Sequence, residues 1–210
     1  SSAAADGYKR LTLRWHKRTS RARASSSRGA GPRRTRPLDQ ELCGRRKFAI
    51  VTYSTEVNVI TGGWVDATPG NCEKWSNEAK ELEPDAMTNI HGGLMRALKI
   101  SDGGIDSDEP AVDPECVLTG ADTIVFLTDG WASWDDESTS RVKDKRNGVD
   151  NSIGDGPFIY GENIWPDILR HNLFRKVIIN TVGIGNHDKE LLKNLAKRTG
   201  GAYVDWSFPE

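Results

Sequence analysis

The stretch ADTIVFLTDGWAS, Ala121 to Ser133, constrains the fold most: an apolar, β-branched run halts abruptly at Thr128, Asp129 and Gly130. A run of that length, bounded by a polar residue and a turn glycine, predicts a strand buried on both faces of a parallel sheet. Asp129 then stands at the strand's carboxyl end, the edge of open α/β sheets at which ligands and ions bind. The plainer alternative is that Asp129 caps the segment that follows.

The flanking segments extend the pattern. KFAIVTYSTEVNVI, Lys47 to Ile60, is rich in β-branched and aromatic residues and reads as a strand. Thr68 is a helix N-cap with Pro69 at the first helical position, and Cys72, Trp75, Ala79 and Leu82 recur at helical spacing up to Pro84. In AMTNIHGGLMRALKIS, Ile90, Leu94, Ala97 and Leu98 form one apolar stripe, and Thr88 at the amino-terminal end is placed to turn its hydroxyl outward. Asn163 to Phe174 reads as a helix with Pro166 in its first turn, and Arg175 to Gly185 as a second buried strand. Asp188 caps a helix carrying Leu191, Leu192, Leu195 and Ala196, closed by Gly200 and Gly201, before a short strand from Ala202 to Trp206. Strands alternating with helical patterns predict an α/β fold, a doubly wound, mostly parallel sheet flanked by helices.

Four pieces, FAIVTYSTEV, TNIHGGLMRAL, IVFLTDGWAS and IINTVGIGNHDKELLKNLAKRTGGAYV, cover most of Lys47 to Trp206. In their order and spacing the chain resembles a von Willebrand factor type A (VWA) domain. The resemblance implies a Rossmann-like sheet and a metal-ion-dependent adhesion site (MIDAS), in which a divalent cation, usually Mg2+, sits on the upper edge. That site takes a D-x-S-x-S loop, a threonine, and an aspartate from the strand ending in T-D-G. Thr88 matches the second element and Asp129 the third. Magnesium prefers hydroxyl, carboxylate and water oxygens in octahedral geometry, which suits these residue types. A protein partner supplying an acidic side chain to complete the cation's shell is implied with it.

The first element departs from the pattern, so the sheet is expected to be incomplete at its N-terminus. Residues 1–46 lack an apolar strand ending in D-x-S-x-S, and the nearest echo is Arg23-Ala24-Ser25-Ser26-Ser27, with arginine in the carboxylate's place. Ser25 and Ser27 are thus weak candidate ligands, since an arginine repels a cation and cannot ligate one. Without the aspartate, Mg2+ binding should be weak. The lost strand lies near the sheet's centre in the resembled fold, so neighbouring strands would be left with unpaired backbone groups. YKRLTLRW, Tyr8 to Trp15, is the sole candidate for a surrogate.

Charge divides the chain at the same place, into residues 1–46 and 47–210. Residues 1–47 hold 14 Lys and Arg against 3 Asp and Glu, whereas the whole chain holds 29 against 30. A basic segment with few large apolar groups cannot offset its chain entropy and should be disordered. It reads either as a nucleic-acid tail or as a segment not native to the domain. The second is favoured, because the segment stands in place of a core element, and nucleic acid is disfavoured as a partner.

No run approaches transmembrane length, and the amino terminus shows no apolar signal-peptide core, although a replaced terminus could have removed one. Cys43, Cys72 and Cys116 are odd in number and widely spaced, fitting neither a zinc site nor a disulfide framework, so a reducing compartment is favoured. Asp102, Asp106 and Asp108 lack EF-hand spacing and read as a solvated acidic loop.

Trp131 and Trp134 open a long insertion, Trp134 to Gly161, that should hang over the metal face. They are candidate partner-binding residues, with packing beneath the loop as the alternative. His91, His171 and His187 are scattered and show no nucleophile–base spacing with a serine or cysteine. No phosphate-binding loop or dinucleotide fingerprint appears. The sequence therefore reads as a non-enzymatic protein-binding module. Two alternatives are a Mg2+-dependent hydrolase, needing a second carboxylate such as Asp135 or Asp136 beside Asp129, and a nucleic-acid binder acting through the basic segment.

Overall fold

A computed structural model describes residues 11–17, 46–82, 87–101, 104–105, 114–134 and 158–207. In chain order the elements are β1 (Leu11–Lys17), β2 (Arg46–Tyr53), β3 (Val57–Val59), β4 (Val65–Asp66), α1 (Pro69–Lys80) and α2 (Ile90–Leu98). There follow β5 (Ile100–Ser101), β6 (Gly104–Ile105), α3 (Pro114–Thr119), β7 (Thr123–Thr128), α4 (Gly161–Asn172), β8 (Ile178–Ile184), α5 (Lys189–Thr199) and β9 (Tyr203–Trp206). Seven strands make one sheet in the order β3-β2-β1-β7-β8-β9, with β4 also beside β2. β5 and β6 pair separately.

The sheet is mixed, which corrects the expectation of a mostly parallel one. Only β7 with β8 and β8 with β9 run parallel; β1 is antiparallel to both β2 and β7, and β3 and β4 are antiparallel to β2. The surrogate strand accounts for two of the four antiparallel pairings. Leu11–Lys17 overlaps the predicted Tyr8 to Trp15 segment and occupies the slot between β2 and β7 in the reverse direction. A ladder can close in either direction, so an antiparallel insert satisfies both neighbours' backbone groups. Two reversals across β1 leave β2, β7, β8 and β9 pointing the same way. Their carboxyl ends share one rim of the sheet.

Alternation along β2 divides its side chains between two faces. Ala49, Val51 and Tyr53 join a core with Ile90, Leu94, Leu98, Ile124, Phe126, Ile164, Ile168, Ile179, Leu192 and Leu195, so α2, α4 and α5 cover one face. Phe48 and Ile50 lie on the other face with Ala67, against Trp75 of α1. β7 is not fully buried as expected: Ile124, Phe126 and Thr128 are buried, whereas Val125 and Leu127 on the opposite face are half-buried. The described helices α2, α4 and α5 thus lie on one face of the sheet and α1 on the other.

Local chemistry sets the element ends. Thr68 caps α1, its hydroxyl accepting from Asn71 N at 3.2 Å, and the helix stops at Lys80, before Leu82. Asp188 caps α5, accepting from Leu191 N at 2.9 Å, and Gly200 closes it in the left-handed region at φ 77°. α4 begins two residues earlier than the sequence suggested, so Pro166 lies in the second turn rather than the first. Lys47 to Ile60 breaks into β2 and β3, because Ser54 N bonds Glu56 O at 2.9 Å and reverses the chain.

Candidate functional site

The rim is assembled from the loops that follow β2, β7 and β8. Ser54, just past β2, accepts at its carbonyl from Asn89 N at 2.9 Å, which fixes the start of α2. Asn89 caps that helix, accepting from Gly92 N at 2.9 Å. The loop after β7 is tied to the same start: Ser133 Oγ accepts from Thr88 N at 2.9 Å, and Ser133 N donates to Thr88 O at 3.0 Å. Tyr53 braces the arrangement from β2, its hydroxyl donating to Leu127 O at 2.6 Å and its ring stacked on Phe126 at 5.5 Å. Gly93 permits this, because a Cβ there would meet the Tyr53 ring at 2.9 Å.

Thr88 and the loop beginning at Asp129 therefore meet on one rim. Thr88 is buried at 5% exposure, and its backbone is held from both sides by Ser133. Asp129 is half-buried. Ser25, Ser27, Asp135 and Asp136 lie outside the described residues, as do Asp102, Asp106, Asp108 and Cys43. Register shows where the chain leaves β1 on its way to Ser25 and Ser27: Lys17 pairs with Arg46, at the edge opposite the rim.

Among the described residues no group of three or more His, Cys, Asp and Glu side chains is placed to hold a metal. Among the described residues the rim offers a cation the Asp129 carboxylate and hydroxyl oxygens, a donor type that fits the chemistry of Mg2+.

Beside the rim lies an open cleft of about 680 Å³, walled by Trp131, Trp134, Tyr160 and Trp165 and edged by Asp188 and Glu190. Trp131 is 60% and Trp134 47% exposed, so neither is packed away, although Trp134 lies against Tyr160 with centroids 4.2 Å apart. Tyr160 and Trp165 join this wall only through the packing of α4 beside the β7 and β8 loops, which spacing along the chain does not show.

Two histidine clusters also went unseen, since spacing along the chain does not reveal them. His187 lies flat over Gly183, where a Cβ would come within 2.1 Å of Nε2. Its Nδ1 is 3.0 Å from Gly185 O, a pure acceptor, so Nδ1 carries the proton and Nε2 accepts from the Tyr203 hydroxyl at 2.8 Å. The Ser207 hydroxyl and the Lys189 ammonium, 3.0 Å away, hold Asp205 well below the usual carboxylate range. Burial, then the neighbouring Asp205, pushes Tyr203 up. Elsewhere His91 and His171 prove to converge: buried His91 Nε2 donates to buried Asp167 at 2.6 Å, His171 approaches it at 3.8 Å, and Arg170 bonds it at 2.9 Å.

No protein-family model matches the chain. It is similar to inter-alpha-trypsin inhibitor heavy chain H3 of Mesocricetus auratus, 28% identical over 94 residues, which is 45% of this chain and 10% of that protein. It is likewise similar to inter-alpha-trypsin inhibitor heavy chain H3 of Mus musculus, 26% identical over 137 residues, 65% of this chain and 14% of that protein. The chain thus corresponds to a small part of each of these relatives. The likeness is distant and lends the VWA resemblance loose support. Among the described residues no helix is long and apolar enough to cross a membrane.

Proposed function

We propose that this chain is a non-enzymatic protein-binding module of VWA-like design whose partner surface is the rim carrying Thr88, Asp129, Trp131 and Trp134. The observation that carries the reading is the pair of hydrogen bonds between Ser133 and Thr88, which draws the T-D-G loop onto the start of α2. Asp129 and Thr88 then act as the surviving ligands of a partial MIDAS that holds Mg2+ weakly, directly or through water. A partner's acidic side chain completes the shell. The distant likeness to two chains named for an inhibitor is in keeping with a binding role.

Magnesium titration by calorimetry tests the reading. Binding weaker than about 10 μM, roughly −7 kcal/mol, is expected, and Asp129→Ala should abolish it. Tighter binding, or binding indifferent to Asp129→Ala, would contradict the partial site.

A further inference from the structure

The cleft beside the rim has a chemistry of its own. Its walls are aromatic, and among the described residues the charged groups at its mouth are Glu162, Asp188 and Glu190 against Lys189. Lys189 is engaged by Asp205 at 3.0 Å, which leaves carboxylates dominant. The amino-terminal ends of α4 and α5 open toward the cleft and favour anions, each by about half a charge. That positive end is already answered at α5 by Asp188, whose carboxylate accepts from Leu191 N. Glu162 and Glu190 stand in the first turns of the two helices and oppose it further.

Aromatic rings next to carboxylates make a receptor for a cation, because the negative ring faces and the carboxylates attract it together. The chain shows the affinity internally: Arg198, outside the cleft, places its guanidinium 5.1 Å from the Trp165 ring. A guanidinium is planar and weakly hydrated, so it stacks on indole better than an ammonium does.

We propose that the cleft between the β7 and β8 loops receives an arginine side chain of a partner polypeptide, lying against Trp131 and the Trp134–Tyr160 pair and paired with Glu190 and Glu162. This rests on the reading of Trp131 and Trp134 as partner-facing, and it is independent of any cation at Asp129.

The test titrates the full 210-residue chain with a blocked Gly-Arg repeat octapeptide and a blocked Gly-Glu repeat, followed by calorimetry and tryptophan fluorescence. The arginine peptide is expected to bind and change tryptophan emission; the glutamate peptide is not. Trp134→Ala, at a half-exposed position, should weaken binding about fivefold without altering net charge. Glu190→Gln should weaken it too, with a loss that shrinks as salt rises. Trp206→Ala, exposed and outside the cleft, should leave affinity unchanged.

Absence of binding, equal binding of the glutamate peptide, or wild-type affinity in Trp134→Ala would overturn the proposal, the last by assigning attraction to the acidic surface at large. If Mg2+ fails to bind while the arginine peptide still does, the partial MIDAS falls and the arginine cleft stands. The reverse result removes the cleft alone.

Discussion

Ser133 shows how much one short side chain can organise. Its hydroxyl accepts from Thr88 N and its own N–H returns to Thr88 O, so two loops 45 residues apart are joined by neighbouring bonds. Ser133→Ala removes one of the two and leaves a buried donor, a loss of about 1 kcal/mol that urea unfolding should register. Gly93→Ala sets opposing effects against each other. Alanine gains about 1 kcal/mol of helix propensity, but its methyl meets the Tyr53 ring at 2.9 Å, a clash of about 1–3 kcal/mol. Net destabilisation is expected, and a raised melting temperature would show that Tyr53 moves aside freely.

Asp205 gives a pH dependence of known sign. Its folded pKa is depressed, so its contribution is present above the ordinary carboxylate pKa, about 3.9, and is lost as pH falls toward the folded value. Acid should therefore loosen the Asp205 contacts to Ser207 and Lys189 at the β9 edge. Asp205→Asn should remove that acid-dependent part, as read by the pH dependence of amide exchange in β9.

At the scale of elements, the pattern in the sequence resolved most of what local chemistry controls. The caps at Thr68 and Asp188, the left-handed Gly200 and the stripe Ile90, Leu94, Ala97, Leu98 all depend on neighbours within a turn or two. Strand direction does not. Nothing in the alternation of LTLRWHK says which way it enters the sheet, and the ladder accepted it antiparallel.

Burial was overread in β7 because an apolar run carries no record of which faces the described helices cover. The position of Thr88 at the start of α2 was legible, but its backbone bonds to Ser133, 45 residues away, were not. The His91–Asp167 and His187–Tyr203 contacts span 76 and 16 residues and leave no local trace.

β1 can be tested as an element. Removing residues 1–17 would bare the facing edges of β2 and β7, which pair with it along seven and four residues. The truncated chain is expected to aggregate in size-exclusion chromatography with light scattering. A monomeric truncation with unchanged thermal unfolding would show that the sheet does not depend on this strand.

Viewed as a whole, the molecule sets a basic amino-terminal segment against an acidic remainder under a net charge of −1. The co-directional strands β2, β7 and β8 bring three loops to one end, where the Thr88–Asp129 rim and the aromatic cleft adjoin. Both features follow from the same geometry, and the rim site depends on Asp129 and Thr88 lying close together. Paramagnetic Mn2+, added in trace amounts to the isotopically labelled chain, reports that proximity directly through NMR line broadening. Selective broadening of residue 88 together with residues 129–133 is predicted. Broadening confined to the carboxylate-rich stretch 102–115, or of residue 129 without residue 88, would contradict a shared rim site.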